Sequence, residues 1–276
     1  MGVLNVTPDS FSDGGRFLQR EAAISHGERL LAEGADLLDV GGESTRPGAE
    51  PVPATVERER VLPVVEGLLA RNPSARISID TSKAAIAGAA LDAGAQLIND
   101  VTAFRGDPQM AALVAERGAE CCLMHMQGEP RTMQEDPRYG DVVDDVKAFL
   151  AERLDFAVRA GVARQRVMLD PGIGFGKTVE HNLTLLRRLD ELLELGRPIV
   201  IGTSRKAFLG RVGARGEVLA PGARLAGTLA SNVLALERGA SVFRVHDVAP
   251  VLEALAVAAA TLGAGWKGSK ATTQTS

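Results

Sequence analysis

Gly34-Ala35-Asp36-Leu37-Leu38-Asp39-Val40 is the first of four related stretches; the others are Gly94-Ala95-Gln96-Leu97-Ile98-Asn99-Asp100, Gly118-Ala119-Glu120-Cys121-Cys122-Leu123-Met124 and Gly239-Ala240-Ser241-Val242-Phe243-Arg244-Val245. Each follows a segment rich in Ala or Leu. A glycine just past a helix takes the left-handed cap conformation without steric penalty, and a short apolar run beside it suits a buried strand. The repeat therefore reads as helix, cap, strand.

Working outward, similar apolar runs predict strands at Val3–Val6, Leu37–Val40, Ile77–Asp80, Leu97–Asp100, Cys121–Met124, Val167–Asp170, Ile199–Gly202 and Val242–Val245. Between them apolar residues recur at helical steps, as in Val142, Val146, Phe149/Leu150, Leu154 and Ala157, or Leu185/Leu186, Leu189 and Leu192/Leu193. Strongly apolar strands alternating with helices call for a parallel sheet covered by helices, and eight such units match an α/β TIM (β/α)8 barrel better than an open sheet. Pro63 falls inside the second helical segment and is expected to kink or split it. We expect one barrel domain over residues 1–262 and a frayed polar tail over 263–276, where Gly, Ser, Thr and Lys predominate. The Pro- and Gly-rich segment Gly41–Pro53 reads as a long loop of the functional kind.

The 276 residues carry a net charge of −4, which argues against a general nucleic-acid binder. Cys121 and Cys122 are adjacent, so in a strand they face opposite sides and form neither a disulfide framework nor a metal knuckle; a cytoplasmic location is the default expectation. The N-terminus lacks the pattern of a signal peptide, and the apolar stretch Val251–Leu262 is too short for a membrane span.

Active sites of TIM barrels lie at the C-terminal ends of the strands. Here those positions are polar: Asn5, Asp80, Asn99 with Asp100, His125, Asp170, Thr203 with Ser204, and Arg244 with His246. Arg244 and His246 flank Val245 and leave the strand on one face, a pairing that can grip an anion. Gly202-Thr203-Ser204-Arg205-Lys206 adds hydroxyls and cations where barrels often hold phosphate. Asp170-Pro171-Gly172-Ile173-Gly174-Phe175-Gly176-Lys177-Thr178 is no phosphate-binding P-loop, since Pro171 occupies the place of its first glycine; it reads as a turn that lets Asp170 and Lys177 approach a flat ligand. The four histidines are scattered and exclude a zinc cluster, so a metal would be a hard cation such as Mg2+, held through the Asn5 amide and substrate phosphates.

Asn5-Val6-Thr7-Pro8-Asp9-Ser10-Phe11-Ser12-Asp13-Gly14-Gly15, Gly42-Glu43-Ser44-Thr45-Arg46-Pro47-Gly48, Ser78-Ile79-Asp80-Thr81, Asn99-Asp100-Val101, the Asp170 turn, Ser204-Arg205-Lys206 and Arg244-Val245-His246-Asp247 follow one another in order. Together they resemble the bacterial dihydropteroate synthase family. That resemblance implies a homodimeric TIM-barrel enzyme that joins 6-hydroxymethyl-7,8-dihydropterin diphosphate to 4-aminobenzoate, releasing diphosphate, with Mg2+ as cofactor. It implies a pterin site of Asp80, Asn99, Met124, Asp170, Phe175 and Lys206, and an aminobenzoate site of Phe11, Thr45, Arg46, Pro47, Ser204 and Lys206. Diphosphate would fall to Asn5, Arg46, Arg244 and His246, with Asn5 as metal ligand, and Asp80, Lys206 and Arg46 would act in catalysis. Mimics of aminobenzoate, the sulfonamides, would compete. Members also carry a strand hairpin ahead of the first strand seen here; either it is absent from this protein or the start of this chain is truncated, and the resemblance leaves the covering of the barrel bottom open. Two alternatives share the pterin barrel, a methyltetrahydrofolate-binding methyltransferase and a non-catalytic pterin-binding paralogue. The whole Ser-Arg-Lys, Arg-x-His and Ser-Thr-Arg-Pro motifs favour the synthase.

Overall fold

The computed structural model describes residues 1–7, 16–44, 48–129, 131–214 and 216–263. Strands and helices alternate as β1 (Gly2–Asn5), α1 (Arg16–Ala32), β2 (Leu38–Gly41), α2 (Ala54–Arg71), β3 (Ile77–Asp80), α3 (Ala84–Asp92), β4 (Leu97–Asp100), α4 (Met110–Arg117), β5 (Glu120–Met124), α5 (Val142–Arg159), β6 (Val167–Asp170), α6 (Val179–Arg187), β7 (Val200–Ile201), α7 (Ala207–Val212), α8 (Leu225–Glu237), β8 (Val242–Phe243) and α9 (Val248–Thr261). The four repeat glycines turn the chain from helix to strand with φ of 101° at Gly34, 106° at Gly94, 56° at Gly118 and 89° at Gly239. This left-handed conformation is costly for a residue with a Cβ, which explains the recurrent glycine.

All strand pairs are parallel, in the order β1 to β6 and then β7 with β8. Single parallel bridges, Leu169 to Ile199 and Gly2 to Val245, join the two groups at both seams. At the second seam Val3 N–H donates to Val245 O at 2.9 Å and Val245 N–H to Met1 O at 2.9 Å. The sheet thus closes on itself into the expected TIM barrel, with β7 and β8 shorter than the apolar runs suggested.

Strand side chains alternate between the barrel interior and the helix layer. Leu38, Val40, Ile77, Ile79, Ile98, Cys121, Leu123, Val167 and Leu169 pack outward in the main core with α1 to α6. Leu37, Leu97, Cys122 and Val200 form a separate inner cluster that fills the lower barrel, with Met1, Met168 and Val242 against it. Cys121 and Cys122 therefore lie on opposite faces, as their adjacency predicted, and burial raises both thiol pKa values, Cys121 to about 12.

Pro63 does not split its helix: α2 runs continuously from Ala54 to Arg71. Val61, Val64, Val65 and Leu68 on that helix are wholly buried. Burial at about 1.5–3 kcal/mol per side chain outweighs the roughly 3 kcal/mol cost of an internal proline. Among the described residues no helix is long and apolar enough to cross a membrane. The expected tail lies, but for Gly263, outside the described residues.

Candidate active site

Above the apolar inner cluster the barrel interior turns polar. Asp39, on the inward face of β2, is fully buried, and it stands in register with Ser78 of β3. Ser78 Oγ donates to Asp39 Oδ1 at 2.6 Å, while Asn99 Nδ2 at 3.0 Å and Arg244 Nε at 2.6 Å both donate to Asp39 Oδ2. Two residues further along β3, Asp80 accepts from Arg244 Nη2 at 2.9 Å. The guanidinium is thus gripped by two carboxylates from below and from one side.

Burial opposes the charge on Arg244, but Asp39 and Asp80 more than offset it and raise its pKa. Burial acts on Asp80 as well, lifting its pKa above the usual carboxylate range against the pull of Arg244. Asp170, buried at the end of β6, is likewise raised by burial, with Lys206 opposing. Its Oδ1 accepts the Gly172 N–H at 2.6 Å, which leaves Oδ2 for another donor.

The glycine turn after Asp170 exists to allow close packing. Gly172 has φ of 67°, and a Cβ there would lie 1.8 Å from His125 O. Gly174, with φ of 83°, is approached by the Lys206 side chain, whose Nζ donates to Ile173 O. That ammonium sits 4.6 Å from the centre of the Phe175 ring, and burial lowers its pKa to about 8. Phe175 packs against the buried cluster of Val101, Met124, Met126 and Met133, so the ring that meets the cation is backed by methionines.

Ser204 and His246 meet across β7 and β8: Ser204 Oγ accepts the His246 N–H at 3.1 Å and lies 3.0 Å from its Nδ1. Arg205, between Ser204 and Lys206, has φ of 58°, an uncommon conformation for a side-chain-bearing residue. It is pinned there by Thr228 Oγ1 on its N–H and by Asp247 on its guanidinium, with Nε to Oδ2 at 2.9 Å. Asn5 closes the ring of strand ends from β1 and is half-buried.

The structure therefore brings Asp80, Asn99 and Arg244 into one hydrogen-bonded group with Asp39, and Lys206 with Phe175 beside Met124. Other strand-end residues serve the scaffold. Asp100 caps its own loop by accepting from Thr102 N at 2.8 Å and Phe104 N at 2.9 Å. Thr203 is fully buried against Ser231. His125 packs edge-on to Phe149 and takes Lys177 Nζ at 2.8 Å on Nδ1, and burial foremost drives its pKa down to about 2. Lys177 is buried with its ammonium on His125 and Phe175 O, so the expectation that it faces a flat ligand is corrected: it braces the turn from behind. Phe11, Thr45, Arg46 and Pro47 lie outside the described residues. Asp39 and Ser78 are not selected by the strand-end rule, because neither ends a strand. The available signal was parity: Asp39 stands two positions after Leu37, hence on the same inward face.

A closed parallel barrel with this mouth is that of a pterin-binding enzyme, and the chain belongs to the pterin binding enzyme family, whose profile matches residues 1–246. The dihydropteroate synthase of Mycobacterium leprae (strain TN) is 48% identical over 268 residues, spanning 96% of this chain and 94% of the relative. The solved dihydropteroate synthase of Xanthomonas albilineans with 4-aminobenzoic acid superposes with a TM-score of 0.88 at 48% identity, over 95% of this chain and 92% of that one. The Xanthomonas albilineans enzyme in complex with 7,8-dihydropteroate gives a TM-score of 0.85 at 45% identity, over the same shares of 95% and 92%. Within its family the chain stands with the dihydropteroate synthases, which are transferases.

Proposed function

We propose that the barrel mouth carries out the dihydropteroate synthase reaction with the following division of labour. Asp170 accepts the adjacent amino and ring N–H groups of 6-hydroxymethyl-7,8-dihydropterin diphosphate, a fork that a carboxylate matches. Asn99 and Lys206 contact the same ring, and Met124 and Phe175 cover its faces. Arg244, His246, Asn5 and Arg46 receive the diphosphate. 4-Aminobenzoate sits with Phe11, Thr45, Arg46, Pro47, Ser204 and Lys206.

The observation that carries this reading is the 2.9 Å contact between Arg244 and Asp80. It sets a fixed cation and a buried carboxylate side by side, the two charges needed when a carbon–oxygen bond to a diphosphate ionises. The leaving group takes the electron pair toward Arg244 and His246. Asp80 stabilises the positive charge that develops on the pterin methylene carbon. The aminobenzoate nitrogen then attacks that carbon, and its surplus proton passes to the departing diphosphate or to solvent. Because the site opposes charge with charge already in place, no covalent nucleophile is needed. Arg46 and Lys206 assist in the same electrostatic sense.

Mg2+ is the proposed cofactor. Among the described residues no group of three His, Cys, Asp or Glu could hold a metal. Asn5 offers one neutral oxygen at a strand end, which suits a hard ion that keeps its waters and bonds to phosphate oxygens. When bound, Mg2+ would neutralise charge on the departing diphosphate.

A homodimer is proposed as well, supported by the apolar side chains that α8 and α9 leave to solvent, among them Leu234 at 52% and Val257 at 66% exposure. A cytoplasmic location and a single catalytic domain over residues 1–262 complete the reading. The deciding experiment is diphosphate release and dihydropteroate formation by the purified protein with Mg2+, with and without 4-aminobenzoate. Both products, dependent on aminobenzoate, are expected. Pterin binding without either product would favour the non-catalytic paralogue.

A further inference from the structure

Asp39 poses a question that the reaction does not answer. A carboxylate wholly removed from water costs several kcal/mol before its partners offset it, and apolar residues of similar volume often stabilise such a site better. Leu37, two positions earlier on the same inward face, shows that the barrel can pack an apolar side chain there. Yet three donors from three other strands converge on Asp39: Ser78 from β3, Asn99 from β4 and Arg244, just past β8.

The geometry of what each donor has left is informative. Arg244 carries five N–H donors and uses one on Asp39 and one on Asp80, so three remain for an anion. The Asn99 amide gives one N–H to Asp39 and keeps its oxygen and second N–H for a ligand. Since both bonds end on the same Oδ2 atom, the two side chains cannot reorient independently. Ser78, wholly buried and bonded to Oδ1, fixes the carboxylate plane.

We propose that Asp39 is a positioning residue that ties the diphosphate grip of Arg244 to the pterin contact of Asn99, holding both subsites in one frame from the barrel interior. This rests on the roles given above to Arg244 and Asn99. Asp39 itself touches no substrate. Its charge keeps the guanidinium where the leaving group departs, and its shared oxygen sets the distance from that point to the ring.

The test measures binding of two separate probes, inorganic diphosphate with Mg2+ and 6-hydroxymethylpterin, by calorimetry on the full chain. D39N is expected to weaken both by roughly tenfold, as coupled neighbours do, whereas R244K weakens diphosphate more than the pterin. In the R244K background, D39N should add little further loss for diphosphate, and a purely structural role would not produce this non-additivity. Unchanged affinities in D39N, or diphosphate losses that add in full, would overturn the proposal. Should D39N fail to fold, S78A answers the same question, since it keeps the charge and frees one Asp39 oxygen: a fall in affinity for both probes supports the coupling, and no change in either overturns it. Wild-type protein that forms no dihydropteroate would instead sink the functional reading, so the two failures are told apart.

Discussion

Arg244 Nε and the Asp39 carboxylate lie 2.6 Å apart although 205 positions separate them in the chain. The pair joins the second strand to the end of the last, and with Asp80 it anchors the guanidinium on two carboxylates. A rigid cation has already met its ordering cost before a substrate arrives, which is what preorganised electrostatic catalysis requires.

Asp80 is the group whose loss should show most clearly in turnover. Asp80→Ala is expected to lower kcat by about 10² or more, the scale seen when one preorganised electrostatic group is removed. Steady-state diphosphate release checks it, and unchanged turnover would remove Asp80 from the mechanism.

Removing the other half of that contact strands two carboxylates. Arg244→Ala leaves Asp39, at 0% exposure, without its cation. Breaking a buried pair in this way costs about 3–5 kcal/mol. Urea unfolding should show that loss, and diphosphate affinity should fall with it, whereas an unaltered midpoint would contradict the burial of the pair.

Lys206 gives the site a basic limb. Its pKa is lowered to about 8 by burial, so activity should decline as pH rises through that value and the ammonium discharges. The stability sign is opposite. Between about 8 and the unfolded value of 10.5 the unfolded chain binds more protons than the folded one, so this group's penalty is full below about 8 and is relieved as pH rises through the window. Lys206→Arg, which stays charged, should move the activity limb upward in a pH–rate profile; a limb left in place would assign it to another group.

Gly172 admits no side chain. A Cβ 1.8 Å from His125 O, on a residue with φ of 67°, forces the Asp170 turn away from β5. Gly172→Ala should cost at least about 2 kcal/mol from strain alone and weaken pterin binding, read by thermal melting and by titration with the pterin. Gly216, where an added Cβ meets nothing within 4 Å, is the control expected to tolerate alanine.

The α8 and α9 face offers a test of assembly. Val257→Glu places a charge on a side chain that is 66% exposed and is expected to convert a dimer to monomers in sedimentation without unfolding the barrel. A wild-type monomer would refute the homodimer directly.

Much of the barrel was legible because the same physical problem recurs at each unit. A helix must end, the chain must reverse, and a strand must be buried on both faces, so Gly-Ala and an apolar run appear at Gly34, Gly94, Gly118 and Gly239. Asp80, Asn99, Asp170 and Arg244 were legible by the rule that strand ends face the mouth. The same rule overreached at Asp100, His125 and Thr203, whose side chains cap a loop, pack on Phe149 and bond Ser231. A strand's last residue can point outward as readily as inward, and only pairing register decides which. Asp39 is not legible in the sequence because a single polar residue in an apolar run looks like an imperfection of the pattern, whereas the closed barrel turns its position into a shared centre for three strands. Pro63 does not decide the outcome of its segment, because local propensity carries no information about the apolar face that α2 buries.

The seam where Val3 donates to Val245 and Val245 in turn donates to Met1, across nearly the whole length of the barrel's sequence, also orders events in time. A ribosome delivers β1 first and β8 last, so the hydrogen bonds of this seam cannot form until the final unit emerges. Throughout that interval Asp39 has no guanidinium, and the interior it is destined for is unfavourable to it. A barrel without its last unit therefore leaves Asp39 lacking the cation that offsets its burial, so the ion pair that organises the mouth also rewards closure of the sheet.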